Sequence, residues 1–445
     1  MHLFSVAAKI STSQADQTLT LMSKMFMTTI AKLFIPDQKH MPERRYDLDW
    51  LRVIAFGLLI LFHCGMFYVE NWGWHVKSQH RSQFLENIML LVEPWRMALL
   101  WLIAGIAIRF IIAKVSVWRF ISMRSLRILL PLLFGILIVV PPQLYVEMTN
   151  NGDLNMNYWQ FLKVFFSDGN GVFDKYQSGI WPHIDVNHLW FLRSLWQYSL
   201  VILCLLPLLN STKIENGINW LFKQYGVIAI LLATLPIFII QINWSMEQVR
   251  YPLGFTFMVY GYLIGWQTNF WQRISNNISW LLCSFAIAYI SFIFFYNQVW
   301  LVELSAPGSH ESWLLMLGMF IYSLLRILGV LALFAIAHKM LNKKSKQLSY
   351  LNEAVYPFYI LHQSFIVVIG YNLSRLSLSA TIEAISLISA TIVCCFVSFE
   401  IIKRINILRP CFGLPMQPHT SLLRQRFAYA AAVILVLPIG IEILI

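Results

Sequence analysis

Long apolar runs recur along the whole chain and are separated by short polar connections. An α-helix needs about 20 apolar residues to cross the roughly 30 Å hydrocarbon core of a membrane. By this measure the chain contains eleven candidate spans, at residues 50–69, 90–112, 125–146, 188–209, 224–243, 251–270, 278–299, 313–337, 353–372, 381–402 and 427–445. We therefore expect an all-α polytopic membrane protein, a bundle of ten core transmembrane helices with an eleventh at the C-terminus.

The same pattern divides the chain into three parts. Residues 1–43 are predicted to be a cytoplasmic leader, because they lack the charged region and apolar core of a cleaved signal. Residues 44–404 form the transmembrane domain. Residues 405–445 are predicted to be a cytoplasmic linker followed by the extra hydrophobic helix. A helix that lies on the membrane surface is the alternative for residues 427–445.

Composition narrows the class of protein further. The chain is 58% hydrophobic and 12% charged, whereas soluble proteins are about 25% charged. Its six cysteines show no disulfide framework and no metal-type spacing with histidines, so no metal is predicted. The net charge of +12 is explained by membrane topology, and we predict membrane lipid and no nucleic acid as a partner.

Lys and Arg are distributed unevenly between the two sets of connections. One set carries seventeen cations: Arg109, Lys114, Arg119, Arg124, Arg127, Lys213, Lys223, Arg273, Lys339, Lys343, Lys344, Lys346, Lys403, Arg404, Arg409, Arg424 and Arg426. The other set carries six: Lys77, Arg81, Lys163, Lys175, Arg250 and Arg375. Because cytoplasmic connections carry the excess of cations, the N-terminus is predicted to be cytoplasmic.

The first span contains a cation and an imidazole on one face. Arg52 and His63 are eleven residues apart, which is about three helical turns and roughly 16 Å of rise. Asp49 shares the face of Arg52 and is close enough to pair with it. Ionisable groups at membrane depth are costly, so they usually face the protein interior and have a function.

Two arginines, Arg124 and Arg127, open the third predicted span on one helix face. At the expected helix N-terminus, backbone N–H groups and two guanidinium groups together suit a phosphate. Ordinary anchoring by cytoplasmic cations explains the same residues.

Other ionisable residues lie within or beside later spans. The second-rank candidates for lining a passage are Arg326, His362, His188 and Arg193. Arg326 lies mid-span and needs a partner or an aqueous cavity. Glu93 and Arg96 open the second span, and a structural ion pair explains them as well as function does.

Aromatic and acidic residues cluster in the two connections predicted to face outward. The first connection contains Trp72, Trp74, His75 and His80, and the second contains Tyr158, Trp159, Asp168, Asp174, Tyr176, Trp181 and Asp185. Such residues suit sugar stacking and hydroxyl binding, although an interfacial aromatic belt gives the same pattern.

Five phrases of the sequence, in order, resemble the membrane-bound acyltransferase-3 family. Arg52 with His63 matches its R-x10-H pattern, and RSLR at Arg124–Arg127 matches its R-x-x-R pattern. MALLWLIAGIA resembles its second-span motif, although Ala104 replaces a more usual Ser, and NHLWFL and YPFYILH resemble two later signatures. The branch of the family that succinylates periplasmic glucans is the one most similar to the phrases RYDLDWLR and YPFYILHQ.

This resemblance implies a bacterial inner-membrane enzyme with a cytoplasmic acyl-CoA donor, acetyl-CoA or succinyl-CoA, and a carbohydrate acceptor outside. A histidine with the usual pKa of about 6.5 can take a hydroxyl proton and give it to a leaving thiolate, so His63 is the predicted base. Asp49 and Arg52 are expected to orient the inner passage, and Arg124 and Arg127 to hold CoA phosphates. The alternative is a transporter or flippase of a glycan or lipid-linked intermediate, with the same charges lining its path.

The predicted orientation is testable by cysteine labelling. A cysteine introduced near Asn170 should react with a membrane-impermeant thiol reagent in intact cells, because the 147–187 connection is predicted to face outward. A cysteine in the 338–349 connection should react only after the membrane is opened. The reverse pattern would contradict the orientation.

Overall fold

The computed structural model describes residues 43–167, 171–176, 186–224 and 226–417. Every regular element within these ranges is helical. The leader up to residue 42 and the predicted span at 427–445 lie outside the described residues, as do Asp168, Trp181 and Asp185.

The described ranges contain sixteen α-helices. In chain order they are α1 (Tyr46–Met66), α2 (Gln83–Met89), α3 (Glu93–Ile112), α4 (Val117–Phe134), α5 (Pro141–Asn150), α6 (Tyr158–Phe165), α7 (Trp190–Leu209), α8 (Thr212–Gln224), α9 (Gly226–Asn243), α10 (Arg250–Ile264), α11 (Thr268–Asn276), α12 (Ile278–Phe295), α13 (Leu301–Ser305), α14 (Ser312–Met340), α15 (Lys346–Ser374) and α16 (Ala380–Arg404). Single π-helical turns, Gly135–Val139 and Tyr296–Trp300, join α4 to α5 and α12 to α13.

Nine helical segments in the described part of the chain are long and apolar enough to cross a membrane. They coincide, in order, with nine of the predicted spans. Helix α10 coincides with the sixth predicted span, but its 15 residues are fewer than the roughly 17 that a crossing needs. The all-α polytopic fold is confirmed, and the count of ten core spans stays a prediction.

Helix α4 begins earlier than the sequence pattern indicated. It starts at Val117, eight residues before the predicted boundary, so Arg124 and Arg127 lie two to three turns inside the helix. The field and free N–H groups of a helix N-terminus act only within the first turn. The expected phosphate site at a helix N-terminus is therefore wrong, and what remains is the pair of guanidinium groups.

Helices α3 and α10 make the closest approach in the bundle, and glycine allows it. A Cβ atom at Gly105 would overlap the carbonyl oxygen of Met258, and one at Gly261 would overlap the carbonyl oxygen of Leu102. Small residues let the backbones of membrane helices approach closely. Dispersion contacts then stabilise the pair, because the hydrophobic effect does not drive helices together within lipid. This contact fixes where the first turns of α3 lie.

Helix α1 packs between α15, α14 and α3, so its polar residues face protein. The connection after α1 folds back over its C-terminal end. There the Lys77 ammonium donates to the carbonyl oxygens of Met66 at 2.9 Å and Val69 at 2.7 Å. Burial lowers the pKa of Lys77 to about 8. The end of α1 that carries His63 is thereby capped by the 67–82 connection.

The chain after α16 is held against the bundle through residue 417. Arg409 donates to the Pro415 carbonyl at 2.7 Å, to the Lys403 carbonyl at 2.9 Å, and to Glu353 of α15 at 3.0 Å. A short 3-10 turn, Pro410–Phe412, packs on α4. The first part of the predicted linker 405–445 is thus attached to the two helices that carry Arg124 and His362.

The glycine contact between α3 and α10 predicts a sharp stability difference. Gly105→Ala should destabilise the protein by about 1–3 kcal/mol or more, because a backbone oxygen cannot move aside as a side chain does. Gly57→Ala in α1 is the matched control, since a Cβ there meets nothing within 4 Å. Thermal unfolding in detergent measures both, and equal midpoints for the two variants would contradict the packing.

Candidate active site

His63 and His362 meet where α1 and α15 pack together. His63 Nδ1 lies 2.7 Å from His362 Nε2, and the two rings are within 5° of parallel. The two residues are 299 positions apart in the sequence. From the sequence, His63 was the predicted base and His362 only a candidate for lining the passage. The structure brings them into one hydrogen-bonded pair.

The hydrogen-bond partners decide which nitrogens carry protons. His362 Nδ1 lies 2.8 Å from the Tyr359 carbonyl oxygen and 3.1 Å from that of Phe358. A carbonyl oxygen only accepts, so His362 Nδ1 bears a hydrogen and, in the neutral ring, His362 Nε2 is the acceptor. His63 Nδ1 must then be the donor, which leaves His63 Nε2 as an unprotonated nitrogen.

A cavity of about 370 Å³ lies against this pair. Its wall comprises Leu59, His63, Trp74, His75, Arg96, Met97, Leu100, Val186, Asn187, His188, Trp190, Phe191, Arg250, Tyr359 and Gln363. Three of these residues are imidazoles, two are arginines, and three are tryptophan or tyrosine. An apolar cavity with a few convergent polar groups is the usual form of a small-molecule site.

A second histidine on the cavity wall is held by a carboxylate. His75 Nδ1 lies 2.5 Å from Glu147 Oε2 of α5, and His75 Nε2 accepts from Gln363 Nε2 at 3.0 Å. Trp74 stands between the two histidines, with its ring centroid 5.3 Å from that of His63 and 5.3 Å from that of His75. The 67–82 connection therefore contributes part of the cavity wall directly.

A chain of side-chain hydrogen bonds fixes the wall from behind. Gln143 donates to Ser364 at 2.6 Å, and Ser364 donates to the Val139 carbonyl at 2.5 Å. Val139 closes the π-helical turn between α4 and α5, and such turns recur at functional sites. His188 Nε2 donates to the Ile360 carbonyl at 2.9 Å. The imidazoles are thus held by protein partners. In the described chain, no group of three or more His, Cys, Asp or Glu is arranged to hold a metal ion.

Arg52 and Asp49 lie at the opposite end of α1 from His63. Arg52 donates to Asn352 of α15 at 2.7 Å and to Asp49 at 3.3 Å, and Asp49 also accepts from Arg44 at 3.1 Å. The predicted pairing of Arg52 with Asp49 is present. Neither residue lines the cavity. Any role of Arg52 and Asp49 is therefore at the end of the α1–α15 contact that lies away from His63.

Arg124 and Arg127 present different surroundings. Arg124 lies over the Phe120 ring, with 5.5 Å from its guanidinium carbon to the ring centroid, and its Nε is buried with no acceptor in the described structure. Arg127 is exposed, and its carbonyl accepts from the Tyr356 hydroxyl at 3.1 Å. Tyr356 belongs to α15, so the arginine pair and His362 are connected through one helix.

Arg326 and Arg193 are absent from the cavity wall. Arg326 is buried and donates to the Pro94 carbonyl at 2.8 Å and to Gln241 at 3.1 Å. Arg193 donates to the Tyr251 hydroxyl at 3.0 Å. The hydrogen-bond partners that a buried Arg326 needs are therefore supplied by the protein. Neither Arg326 nor Arg193 supports the hypothesis that they line a passage.

Comparison with known proteins identifies the class of molecule. The family model described as an acyltransferase domain, of the acyltransferase-3 type, matches residues 45–400. The chain belongs to the acyltransferase-3 family. It is therefore an acyl-transferring membrane enzyme, and the transporter alternative loses its support.

Curated relatives of this acyltransferase-3 protein are distant. Glucans biosynthesis protein C of Escherichia coli O1:K1 / APEC is 22% identical over 347 residues, which cover 74% of this chain and 83% of the relative. The protein of the same name in Escherichia coli strain K12 is 21% identical over the same coverage. No solved structure matches the chain significantly.

Several residues of the site in this acyltransferase-3 protein had no decisive signal in the sequence. His75 was one aromatic-loop residue among several, and Glu147 marked only the end of a span. Gln143 and Gln363 are amides inside apolar runs. Buried amides need hydrogen-bond partners. The presence of an amide within an apolar run was therefore the only sequence signal that Gln143 and Gln363 belong to a site.

Proposed function

We propose that this enzyme is an O-acyltransferase that moves an acetyl or succinyl group from cytoplasmic acyl-CoA to a hydroxyl of an extracytoplasmic glycan, with His63 as general base. The single observation that carries the proposal is the 2.7 Å hydrogen bond between His63 and His362. It leaves an unprotonated nitrogen of His63 beside a cavity that the outer connection helps to form.

The chemistry follows from that nitrogen. The acceptor hydroxyl oxygen attacks the thioester carbonyl carbon while its proton passes to His63 Nε2. The carbon–sulfur bond then breaks, its electron pair leaves on sulfur, and the proton passes from His63 to the thiolate. One imidazole thus serves as base and acid, so no proton is gained or lost overall.

His362 supports both steps without touching the reacting atoms. Its Nε2 accepts from His63 Nδ1 before and after His63 gains a proton, so the ring keeps one orientation throughout. A partner that fixes tautomer and orientation is what a catalytic histidine requires. The buried carbonyl of Tyr359 fixes His362 in turn.

Arg124 and Arg127 are proposed to bind the phosphates of the CoA donor. The buried Nε of Arg124 with no acceptor in the described chain supports this role, because an unsatisfied guanidinium group is a costly arrangement that an anion would relieve. Arg52 and Asp49 lie at the same end of the α1–α15 contact as Asn352, and are proposed to orient the inner part of the donor's route.

The cavity wall is proposed to bind the glycan acceptor. Trp74 and Trp190 offer flat apolar faces, and the amides of Asn187 and Gln363 offer hydrogen bonds to hydroxyl groups. This combination suits a sugar ring, whose faces are apolar and whose edges are polar.

The topology and the domains complete the proposal. We place the protein in the bacterial inner membrane with a cytoplasmic N-terminus, as the distribution of Lys and Arg predicts. The acyltransferase domain spans 44–404, preceded by the 1–43 leader and followed by the 405–445 linker and hydrophobic segment. The cavity then opens from the outer half of the bundle, and Arg124 lies on the donor side.

Replacement of His63 tests the general base directly. His63→Asn should reach the membrane at normal abundance and lose acyl transfer by about 10²–10⁴-fold, the usual contribution of a general base. Thiol release from acyl-CoA in the presence of candidate glycans is the measurement. His80→Asn, which changes an exposed histidine of the 67–82 connection, should stay within about twofold of wild type, and near-normal turnover in the His63 variant would contradict the role.

Replacement of His362 separates positioning from base catalysis. His362→Gln keeps an acceptor for His63 Nδ1 and should retain most activity, whereas His362→Leu should lose about 10–100-fold, the range seen when a partner of a functional histidine is removed. Collapse of activity in both His362 variants with normal turnover in His63→Asn would show that His362 is the base.

The donor site predicts a change in affinity rather than in folding. The Arg124→Gln, Arg127→Gln double variant should weaken acyl-CoA binding by about tenfold or more per residue, since each charge-assisted contact contributes about 1.5–3 kcal/mol. Arg119→Gln, an exposed cation on the same helix, is the control for loss of charge. An unchanged dependence on acyl-CoA concentration in the double variant would assign these arginines to membrane anchoring.

A further inference from the structure

Arg96 belongs to the cavity wall but has no role in the acyl transfer proposed for His63. It lies in the first turn of α3 and lines the same cavity as His63. Its guanidinium carbon is 3.7 Å from the centroid of the Phe62 ring, the side chain that precedes His63 in α1. Its Nε is buried and has no hydrogen-bond partner in the described structure.

The carboxylate expected to neutralise Arg96 is engaged elsewhere. Glu93 accepts a short hydrogen bond from the Tyr322 hydroxyl of α14. No ion pair joins Glu93 to Arg96, and no other carboxylate in the described residues lies within 4.0 Å of its nitrogens. The structural ion pair that the sequence offered as one explanation is therefore not formed.

Two other deep arginines donate hydrogen bonds to protein acceptors, although the Nε of Arg109 also lacks a partner in the described structure. Arg326 donates to the Pro94 carbonyl and to Gln241, and Arg109 donates to the carbonyls of Tyr262 and Leu263. Arg96 is stacked on an aromatic ring and has neither kind of acceptor in the described chain. A buried, unpaired cation is costly, so its retention beside a cavity points to an anion that enters the cavity.

We propose that Arg96 binds a negatively charged oxygen of the acyl group in the cavity beside His63. This inference rests on the proposed function, because the acyl group must reach His63. Two sources supply the same chemistry: the oxyanion formed when the acceptor oxygen adds to the thioester carbonyl, and the terminal carboxylate of a dicarboxylic acyl group.

The oxyanion source follows from the reaction itself. When the acceptor oxygen bonds to the carbonyl carbon, the π-electron pair of the carbonyl moves onto its oxygen, which becomes negative. A cation held in place beside that oxygen stabilises it without reorganisation. When the carbon–sulfur bond breaks, the pair returns to form the carbonyl of the ester.

The carboxylate source makes a different demand on the same residue. A terminal carboxylate is present in the bound donor before reaction, so Arg96 would contribute to binding as well as to the barrier. The planar guanidinium group suits two-point contact with a carboxylate. The two sources therefore differ in whether a donor that lacks the carboxylate is affected.

The experiment compares Arg96→Gln and Arg96→Lys with wild-type protein, using acetyl-CoA and succinyl-CoA as separate donors with the same glycan. For the oxyanion source, Arg96→Gln should lower kcat by about 10²–10³-fold with each donor that wild type uses, at little change in KM. For the carboxylate source, Arg96→Gln should raise KM for succinyl-CoA and leave transfer of acetyl unchanged. Arg96→Lys should recover part of the loss in either case.

Thermal unfolding separates these effects from loss of folding. Arg96→Gln should unfold closer to the wild-type midpoint than Arg326→Gln, because it loses the contact with the Phe62 ring and no hydrogen bond. Arg326→Gln should unfold lower, because it leaves the Pro94 carbonyl without its donor. Arg375→Gln, an exposed arginine, is the control for loss of one positive charge and should match wild type in both measurements.

Failure of the proposal for Arg96 can be distinguished from failure of the proposed function. If wild type transfers an acyl group and Arg96→Gln matches it in kcat and KM with every donor, the proposal for Arg96 is overturned and the general-base proposal stands. If wild type releases no thiol from either donor, the proposed function fails and the proposal for Arg96 fails with it. An unfolding midpoint in Arg96→Gln as low as that of Arg326→Gln would also count against the proposal, since it would reveal a structural partner.

Discussion

The hydrogen bond between His63 and His362 is the constraint on which the site depends. It exists because α1 and α15 pack side by side and because the last turn of α1, which carries His63, meets the middle of α15, which carries His362. Two imidazoles inside an apolar bundle are costly unless each polar atom finds a partner. The carbonyls of Phe358 and Tyr359 accept the N–H of His362, and His362 accepts the N–H of His63, whose ring lines the cavity. The same bonds that make burial tolerable also leave one nitrogen chemically free.

The rest of the cavity wall is held by bonds between elements that are far apart in sequence. The π-helical turn between α4 and α5 offers the Val139 carbonyl to Ser364, and α5 places Glu147 against His75. Gln143 and Gln363 connect these groups, so a change in one element is felt by the others. Such a network fixes ring orientation, which a loose apolar wall would leave free. Arg96 differs from these groups, because its guanidinium group has neither a hydrogen-bond acceptor nor a carboxylate partner in the described part of the chain.

Sequence reasoning succeeded where one helix carries the information. The 3.6-residue period placed Arg52 and His63 on one face, and hydropathy placed the spans because lipid demands long apolar helices. It failed at the start of α4, because hydropathy marks the lipid-spanning stretch and the helix continues into the interface through Trp118 and Arg119. It also left open whether Glu93 pairs with Arg96, since Tyr322 of a distant helix takes that carboxylate. The pairing of His75 with Glu147 spans 72 residues and has no local signature.

The central claim is that His63 presents an unprotonated Nε2 to the cavity because His362 accepts from its Nδ1. Solid-state NMR of the protein in lipid bilayers, with ¹⁵N-labelled histidine at pH 8, measures this directly. The signals of His63 are identified by their loss in His63→Asn. The expected result is a neutral ring with hydrogen on Nδ1 and none on Nε2, and a shift of the Nδ1 signal in His362→Leu. A His63 ring with its hydrogen on Nε2, unaffected by the change at residue 362, would contradict the claim.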